Sequence, residues 1–329
     1  MPTRRRALLI LAALAGLSQL SIALALMVGS IPITPAEVLT SLLGDASCVT
    51  DDVVRSLRLP RALTGFACGG LLALAGALLQ VLLRNPLADP YVLGISGGAG
   101  IGALLAIVLG FDVAGINGLA FVGSLGAMLL VFGLAHGEGG WTQSRLLLTG
   151  VIVAAGCGAV VTLMLAIAPE ERLRGMLFWL MGDLSQTGDP QLVLILLVVA
   201  LLTTLPFARE LNLLARGADI AQALGVAVGP LRRGVYVMAS LATAAAVTHA
   251  GAIGFIGLIV PHLVRLAAGN DQRLLLPASV LAGGSLLVIA DTLARSVLAP
   301  QQLPVGVLTA LIGVPVFLFL LSRAAPGRH

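Results

Sequence analysis

The chain has 329 residues, 58% of them hydrophobic and only 10% charged, with a net charge of +4 and a mean hydropathy of +1.06. Soluble domains carry about 25% charged residues, so a water-soluble globular protein is excluded, and many apolar stretches approach the roughly 20 residues that cross a bilayer as helix. All 19 basic residues are arginine, which excludes a Walker A loop, whose lysine holds the nucleotide phosphates, and a Schiff-base lysine. If ATP drives this protein, another subunit hydrolyses it. The arginines stand singly or in small groups at the ends of apolar runs, without the contiguous basic patch that nucleic acid would require.

Ten apolar segments follow one another along a single domain, 1–329: 7–29, 59–83, 91–110, 115–135, 145–168, 190–207, 232–250, 254–267, 274–298 and 304–322. The first follows Arg4, Arg5 and Arg6 as a signal peptide would, but it exceeds a signal h-region and reads as a retained span. With both termini inside, only Arg55, Arg58, Arg61, Arg172, Arg174 and Arg295 fall outside; the other thirteen, Arg328 among them, fall inside. That is the bias the positive-inside rule demands, and it predicts an all-α protein with both termini cytoplasmic.

Three connections are more than turns. The first outer loop, 30–57, opens with Thr34-Pro35-Ala36-Glu37, a capping box with proline at the first helical position. The second, 169–190, places Leu173, Met176, Leu177 and Leu180 at helical spacing beside Glu170, Glu171, Arg172 and Arg174, which predicts an interfacial helix. The inner loop 208–231 carries apolar residues interrupted by Gly217 and closed by Gly225, which predicts two short helices joined by a sharp bend. It either docks a soluble partner or lies on lipid headgroups. Glycines at four-residue spacing, Gly65 with Gly69, Gly94 with Gly98 and Gly98 with Gly102, read as close helix packing.

Ionisable groups within the apolar segments are few. Asp291 and Arg295, four apart, share one helix face and neutralise each other as a structural pair or serve transport. His249 and His262 have no second ligand at suitable spacing, and Cys48, Cys68 and Cys157 form no metal or redox pattern, so no metal site is expected. No nucleophile elbow or zinc-protease signature occurs, so no catalytic residue is assigned. The glycine-rich stretches 94–102 and 251–257 would suit unwound helix, which keeps an ion-coupled secondary transporter as an alternative.

Arg58-Leu-Pro-Arg61, Gly76, Gln80, Arg84-Asn-Pro-Leu-Ala-Asp-Pro90 and Leu93-Gly-Ile-Ser-Gly-Gly-Ala99 resemble the FecCD-type permease subunits of binding-protein-dependent ABC importers. Gly254-Phe-Ile-Gly-Leu-Ile-Val-Pro-His-Leu-Val-Arg265, Asp271-Gln-Arg273, Leu276-Pro277, Ala290-Asp291 and the run from Leu303 to Pro315 carry the resemblance through the second half. It implies a type II importer permease of about ten spans in the bacterial inner membrane, paired with a second copy. Two ATPase subunits, which bind the ATP and magnesium, would sit below, and a periplasmic binding protein would deliver an iron chelate (siderophore or haem) or cobalamin. This chain would hold no cofactor of its own. By motif position, Leu214, Gly217, Asp219, Ala221, Leu224 and Gly225 would couple to the ATPase. The pattern departs at Ala218, where the family usually has an acidic residue; here the acid follows at Asp219. Arg58, Arg61 and Arg295 would dock the binding protein, and Asn85, Leu87, Thr142, Gln143 and Ser144 would form the cytoplasmic gate. Asn85 would equally cap the turn before Pro86.

Overall fold

The structure is a computed structural model describing residues 4–29, 31–43, 48–135, 142–185 and 188–323. Arg328, and the parts of the two outer loops at 30, 44–47, 186 and 187, lie outside the described residues. Among those described there is no strand. Each of the ten apolar segments carries one helix: α1 (Arg4–Met27), α4 (Leu59–Leu82), α5 (Ile95–Leu109), α6 (Val113–Leu134), α7 (Gln143–Ile167), α9 (Gln191–Thr204), α12 (Val228–Ala250), α13 (Ile256–Ala268), α14 (Gln272–Ser296) and α15 (Val305–Arg323). The connections add α2 (Pro35–Leu43), α3 (Cys48–Asp51), α8 (Glu170–Leu180), α10 (Ala208–Arg216) and α11 (Ala218–Ala223).

Among the described residues, six helical stretches are long and apolar enough to cross a membrane: α1, the run Val49–Leu82, α6, α7, the run Gln191–Arg216 and α14. Helices α5 and α13, with 15 and 13 residues, are shorter because each is preceded by non-helical chain. At 1.5 Å per residue they span about 20 Å against a hydrocarbon core of about 30 Å. Before α5 comes a 3-10 turn at Pro90–Leu93, and before α13 an irregular segment bounded by Gly251 (φ 68°) and Phe255 (φ 70°). The two irregular segments meet, the Ile253 amide donating to the Tyr91 hydroxyl at 2.8 Å. Backbone at such depth is tolerated only where protein satisfies it.

Helix α4 is the hub. It is apolar on every face, as a helix enclosed by others must be, and it packs against α14, α12, α13 and α9. Its glycines allow this. A Cβ at Gly76 would overlap the Gly257 carbonyl of α13, and one at Gly69 the Gly283 carbonyl of α14. The second cluster is α5 on α6, where Gly98 faces Gly123 and Gly102 faces the Leu119 carbonyl. The expected glycine packing therefore holds at Gly69, Gly98 and Gly102. Gly65 instead meets the Leu184 side chain, and Gly94 starts α5 from the left-handed region (φ 75°). Helix α1 lies on the outside of the bundle and is joined to α14 by a hydrogen bond between the Ser18 and Ser285 hydroxyls (2.9 Å).

Because the Gly76 contact is backbone against backbone, no side chain can move to relieve a larger residue. Gly76→Val is expected to cost about 3 kcal/mol or more, whereas Gly118→Ala, which meets no atom within 4 Å, should be neutral or stabilise by up to about 1 kcal/mol, alanine being the better helix former. Thermal unfolding of both variants in detergent measures the difference.

Candidate functional site

Residues singled out from sequence fall at two opposite ends of the bundle. At one end the inner loop forms the two short helices expected of it. Helix α10 stops at Gly217, whose φ of 134° and ψ of 149° are open to glycine and strained for other residues, and α11 begins at once. Leu214, Gly217 and Ala221 are buried and fix the bend. Asp219, Leu224 and Gly225 are exposed, as is Ile220, so that Ile220 and Leu224, four apart, present an apolar edge to the outside (48% and 62% exposed).

This bend is fastened to the neighbouring helix by a residue that no sequence motif singles out. Asn212 donates from Nδ2 to Asp271 Oδ1 (2.9 Å) and accepts from the Gln272 amide (2.9 Å). Asp271 is also the N-cap of α14, accepting from the Arg273 amide at 3.1 Å. The Asp-Gln-Arg string at 271–273 carries the cap signal; an asparagine one helix away carries no signal of its own.

Of the expected gate residues, Gln143 is brought to the end of α4, its Nε2 donating to the Leu82 carbonyl at 3.0 Å. Thr142 caps α7 by accepting from the Arg145 amide (3.3 Å), and Asn85 caps its own turn by accepting from the Leu87 amide (2.9 Å). Leu87 and Ser144 are exposed. The α4–α5 turn and the start of α7 are thus adjacent, and the side-chain amide of Gln143 ties one to the other.

At the opposite end, Arg58, Arg61 and Arg295 are brought together around a cavity of about 350 Å³ that Gln302 also lines. None of the three is unengaged. Arg58, 6% exposed, donates to the Leu26 carbonyl (2.6 Å) and the Met27 carbonyl (3.1 Å) at the end of α1, and to Ile31 just beyond. Arg295 donates to the Ala25 carbonyl. Arg61 forms a bidentate pair with Asp291, with Nη2 at 2.8 Å and Nε at 2.9 Å from its two carboxylate oxygens. The pairing expected between Asp291 and Arg295 is the longer one, at 3.9 Å. The short contacts go to α4, because a helix neighbour four residues on cannot align its fork as well as a side chain facing from across the interface.

The remaining outer-loop arginines follow the same rule. Arg55 donates to the Ser41 carbonyl (2.7 Å) and the Leu42 carbonyl (3.0 Å) at the end of α2. Arg172 donates to the Ile107 and Val108 carbonyls at the end of α5, and Arg174 lies 5.6 Å over the Phe178 ring. The capping box forms as expected, with the Thr34 hydroxyl (2.7 Å) and amide (2.8 Å) both donating to the Glu37 carboxylate. These bonds, the hydroxyl's first, hold that carboxyl below its ordinary value.

The FecCD transport family pattern matches residues 11–323. This chain belongs to that family. It is 46% identical over 272 residues, 82% of its length and 73% of the relative's, to the cobalamin import system permease protein of Halobacterium salinarum. It is 42% identical over 281 residues to the hemin transport system permease protein of Yersinia pestis, covering 83% of this chain and 84% of that one. A solved chain described as an inward-facing conformation of a metal-chelate type ABC transporter superposes with a TM-score of 0.83 and 32% identity, over 96% of this chain and 99% of that chain. The FecCD-type chain is accordingly the permease subunit of an ABC importer and a multi-pass protein of the inner membrane.

Asp291 is 4% exposed and, among the described residues, is the only carboxylate paired with the two arginines. Asp291→Ala would leave both guanidinium charges in the interior, at a cost of about 3–5 kcal/mol. Replacing Arg61 and Asp291 together by leucine should recover part of that loss, which a double-mutant cycle of unfolding free energies in detergent tests.

Proposed function

We propose that this FecCD permease moves a bulky metal chelate, an iron siderophore or haem, inward by alternating access. It would act as a homodimer of ten-span subunits with both termini cytoplasmic. The family match over almost the whole chain carries the reading, and the fit to an inward-facing metal-chelate transporter supports it. The 46% identity to a cobalamin permease favours cobalamin as the second reading. Both ligand classes are too large for a tight intramembrane site, so selectivity would rest mainly with the binding protein.

In this reading the two ends of the bundle take different tasks. ATPase subunits would seat on the exposed edge of α11, with Asp219, Leu224 and Gly225 in contact and Leu214, Gly217 and Ala221 holding the bend. Asn85, Leu87, Thr142, Gln143 and Ser144 would close the cytoplasmic exit. The binding protein would dock through carboxylates over the cavity lined by Arg58, Arg61 and Arg295. Three arginines against one aspartate leave that cavity positive, and their bonds within the chain pre-set the guanidinium positions.

Gly217 supplies a coupling test with a clean physical basis. A Cβ there would have room, its nearest neighbour being the Arg84 guanidinium at 3.9 Å, but the backbone angle would be strained. Gly217→Val is expected to lower ATP-driven uptake by roughly tenfold or more while the membrane bundle unfolds within a few degrees of the parent; unchanged uptake would remove the coupling assignment. The class and the substrate are read from proteoliposomes holding the chain with its ATPase and binding protein, comparing a ferric siderophore, haem and cobalamin with and without internal ATP. Uptake driven by an ion gradient alone would overturn the importer mechanism.

A further inference from the structure

Arginines gather at both ends of the bundle. Those around α2, α4 and α8 are bonded to helix carbonyls, an aspartate or an aromatic ring. At the α10–α11 end a cavity of about 860 Å³ is lined by Arg6, Arg84, Arg216 and Arg265. Among the described residues no carboxylate pairs with Arg84, Arg216 or Arg265. The one acidic residue in the lining, Asp271, is already committed to Asn212 and the start of α14.

The cavity is also built to hold its charge in place. Gln80, 4% exposed on α4, accepts from the Arg265 guanidinium (2.9 Å) through its oxygen and donates to the Leu258 carbonyl (3.1 Å) through its nitrogen. Its amide is therefore fixed, and it orients Arg265 without cancelling the charge. Arg84 adopts a left-handed backbone (φ 47°), uncommon for a residue with a side chain, and its guanidinium lies against Gly217. Arg216 is the last residue of α10. Arg84, Arg216 and Arg265, drawn from three places in the sequence, thus bring three positive charges to one recess whose one acidic residue is committed elsewhere.

We propose that this cavity is a binding site for a phosphate-bearing anion. A doubly or singly charged phosphate presents the acceptor geometry that arginine forks recognise, and basic recesses between membrane helices at the cytoplasmic face hold acidic lipid headgroups. Arg6 lies in the first turn of α1, a helix only 11% buried over its apolar window, so one wall of the cavity belongs to a helix that faces lipid. An acidic phospholipid is accordingly the favoured source and free phosphate the other. Because Arg84 and Arg216 flank Gly217, an occupied site would also restrain the bend assigned above to coupling. That regulatory consequence rests on the coupling reading; the binding itself does not.

The test uses the full chain purified in detergent, with lipid retention measured by native mass spectrometry against equimolar phosphatidylglycerol and phosphatidylcholine. The chain should retain phosphatidylglycerol preferentially. Each arginine near the headgroups contributes roughly fivefold, so Arg84→Gln with Arg216→Gln should weaken retention roughly 25-fold, and either single change roughly fivefold should the pair fail to fold. Arg145→Gln, at the start of α7 and outside the cavity, should change nothing. Displacement of the lipid by millimolar inorganic phosphate, or binding of phosphate without the lipid, would assign the site to the free anion. Equal retention of the two lipids without phosphate binding, or a preference unaltered by the double substitution, would overturn the site. Transport does not enter the measurement, so its outcome is separable from that of the importer mechanism.

Discussion

The last four carbonyls of a helix have no partner within the helix, and in a membrane protein water is scarce where they end. This chain answers that constraint with arginine. Arg58 and Arg295 close the end of α1, Arg172 the end of α5 and Arg55 the end of α2, each from outside the helix it closes. A guanidinium has five donors and cannot be deprotonated in a protein, so one side chain can satisfy several carbonyls at once, and its charge favours the negative end of the helix dipole. Arg61 with Asp291 then joins α4 to α14. The ends of α1, α2, α4, α5 and α14 are held by polar bonds where apolar packing alone would give no direction.

Between those ends the bundle is organised by how closely backbones approach. Lipid removes most of the hydrophobic drive for helix association, so packing contacts carry more of the weight. Gly69 and Gly76 let α14 and α13 come against α4, and Gly98 and Gly102 let α6 come against α5. The broken segments before α5 and α13 are part of the same economy of space: Tyr91 reaches from one to the amide of the other, and the Pro90 ring packs against Gly257.

The all-helical membrane class and the ten helical segments are legible in composition and apolar runs alone. So are the capping box at Thr34, the α8 helix and the bend at Gly217, because each is written in contiguous residues whose spacing is local. Asn212 bonding to Asp271, Gln80 orienting Arg265 and Arg61 taking Asp291 from Arg295 are not legible there. These bonds join residues 59 to 230 positions apart, and a single sequence holds no record of which helices become neighbours. The length of α5 is overread from sequence, 91–110 against Ile95–Leu109, for a related reason: apolar composition continues through the 3-10 turn at Pro90–Leu93, since burial in protein asks for the same residues as burial in lipid.

Helix α14 begins at Asp271, held by Asn212 beside the α10–α11 bend, and ends beyond Asp291 and Arg295 in the three-arginine cavity. Twenty-five residues make it about 37 Å long, and most of it is buried against α4 and α1. It is a connecting rod with a clasp at each end. A rod so enclosed transmits displacement as tilt or sliding, with its one built-in compliance at Pro277, a turn and a half from the Asn212 clasp, where the helical hydrogen-bond ladder is interrupted. Tension at either clasp would then be felt at the other, and the Arg61–Asp291 bond would govern how much of any movement near Gly217 reaches the opposite end of the bundle.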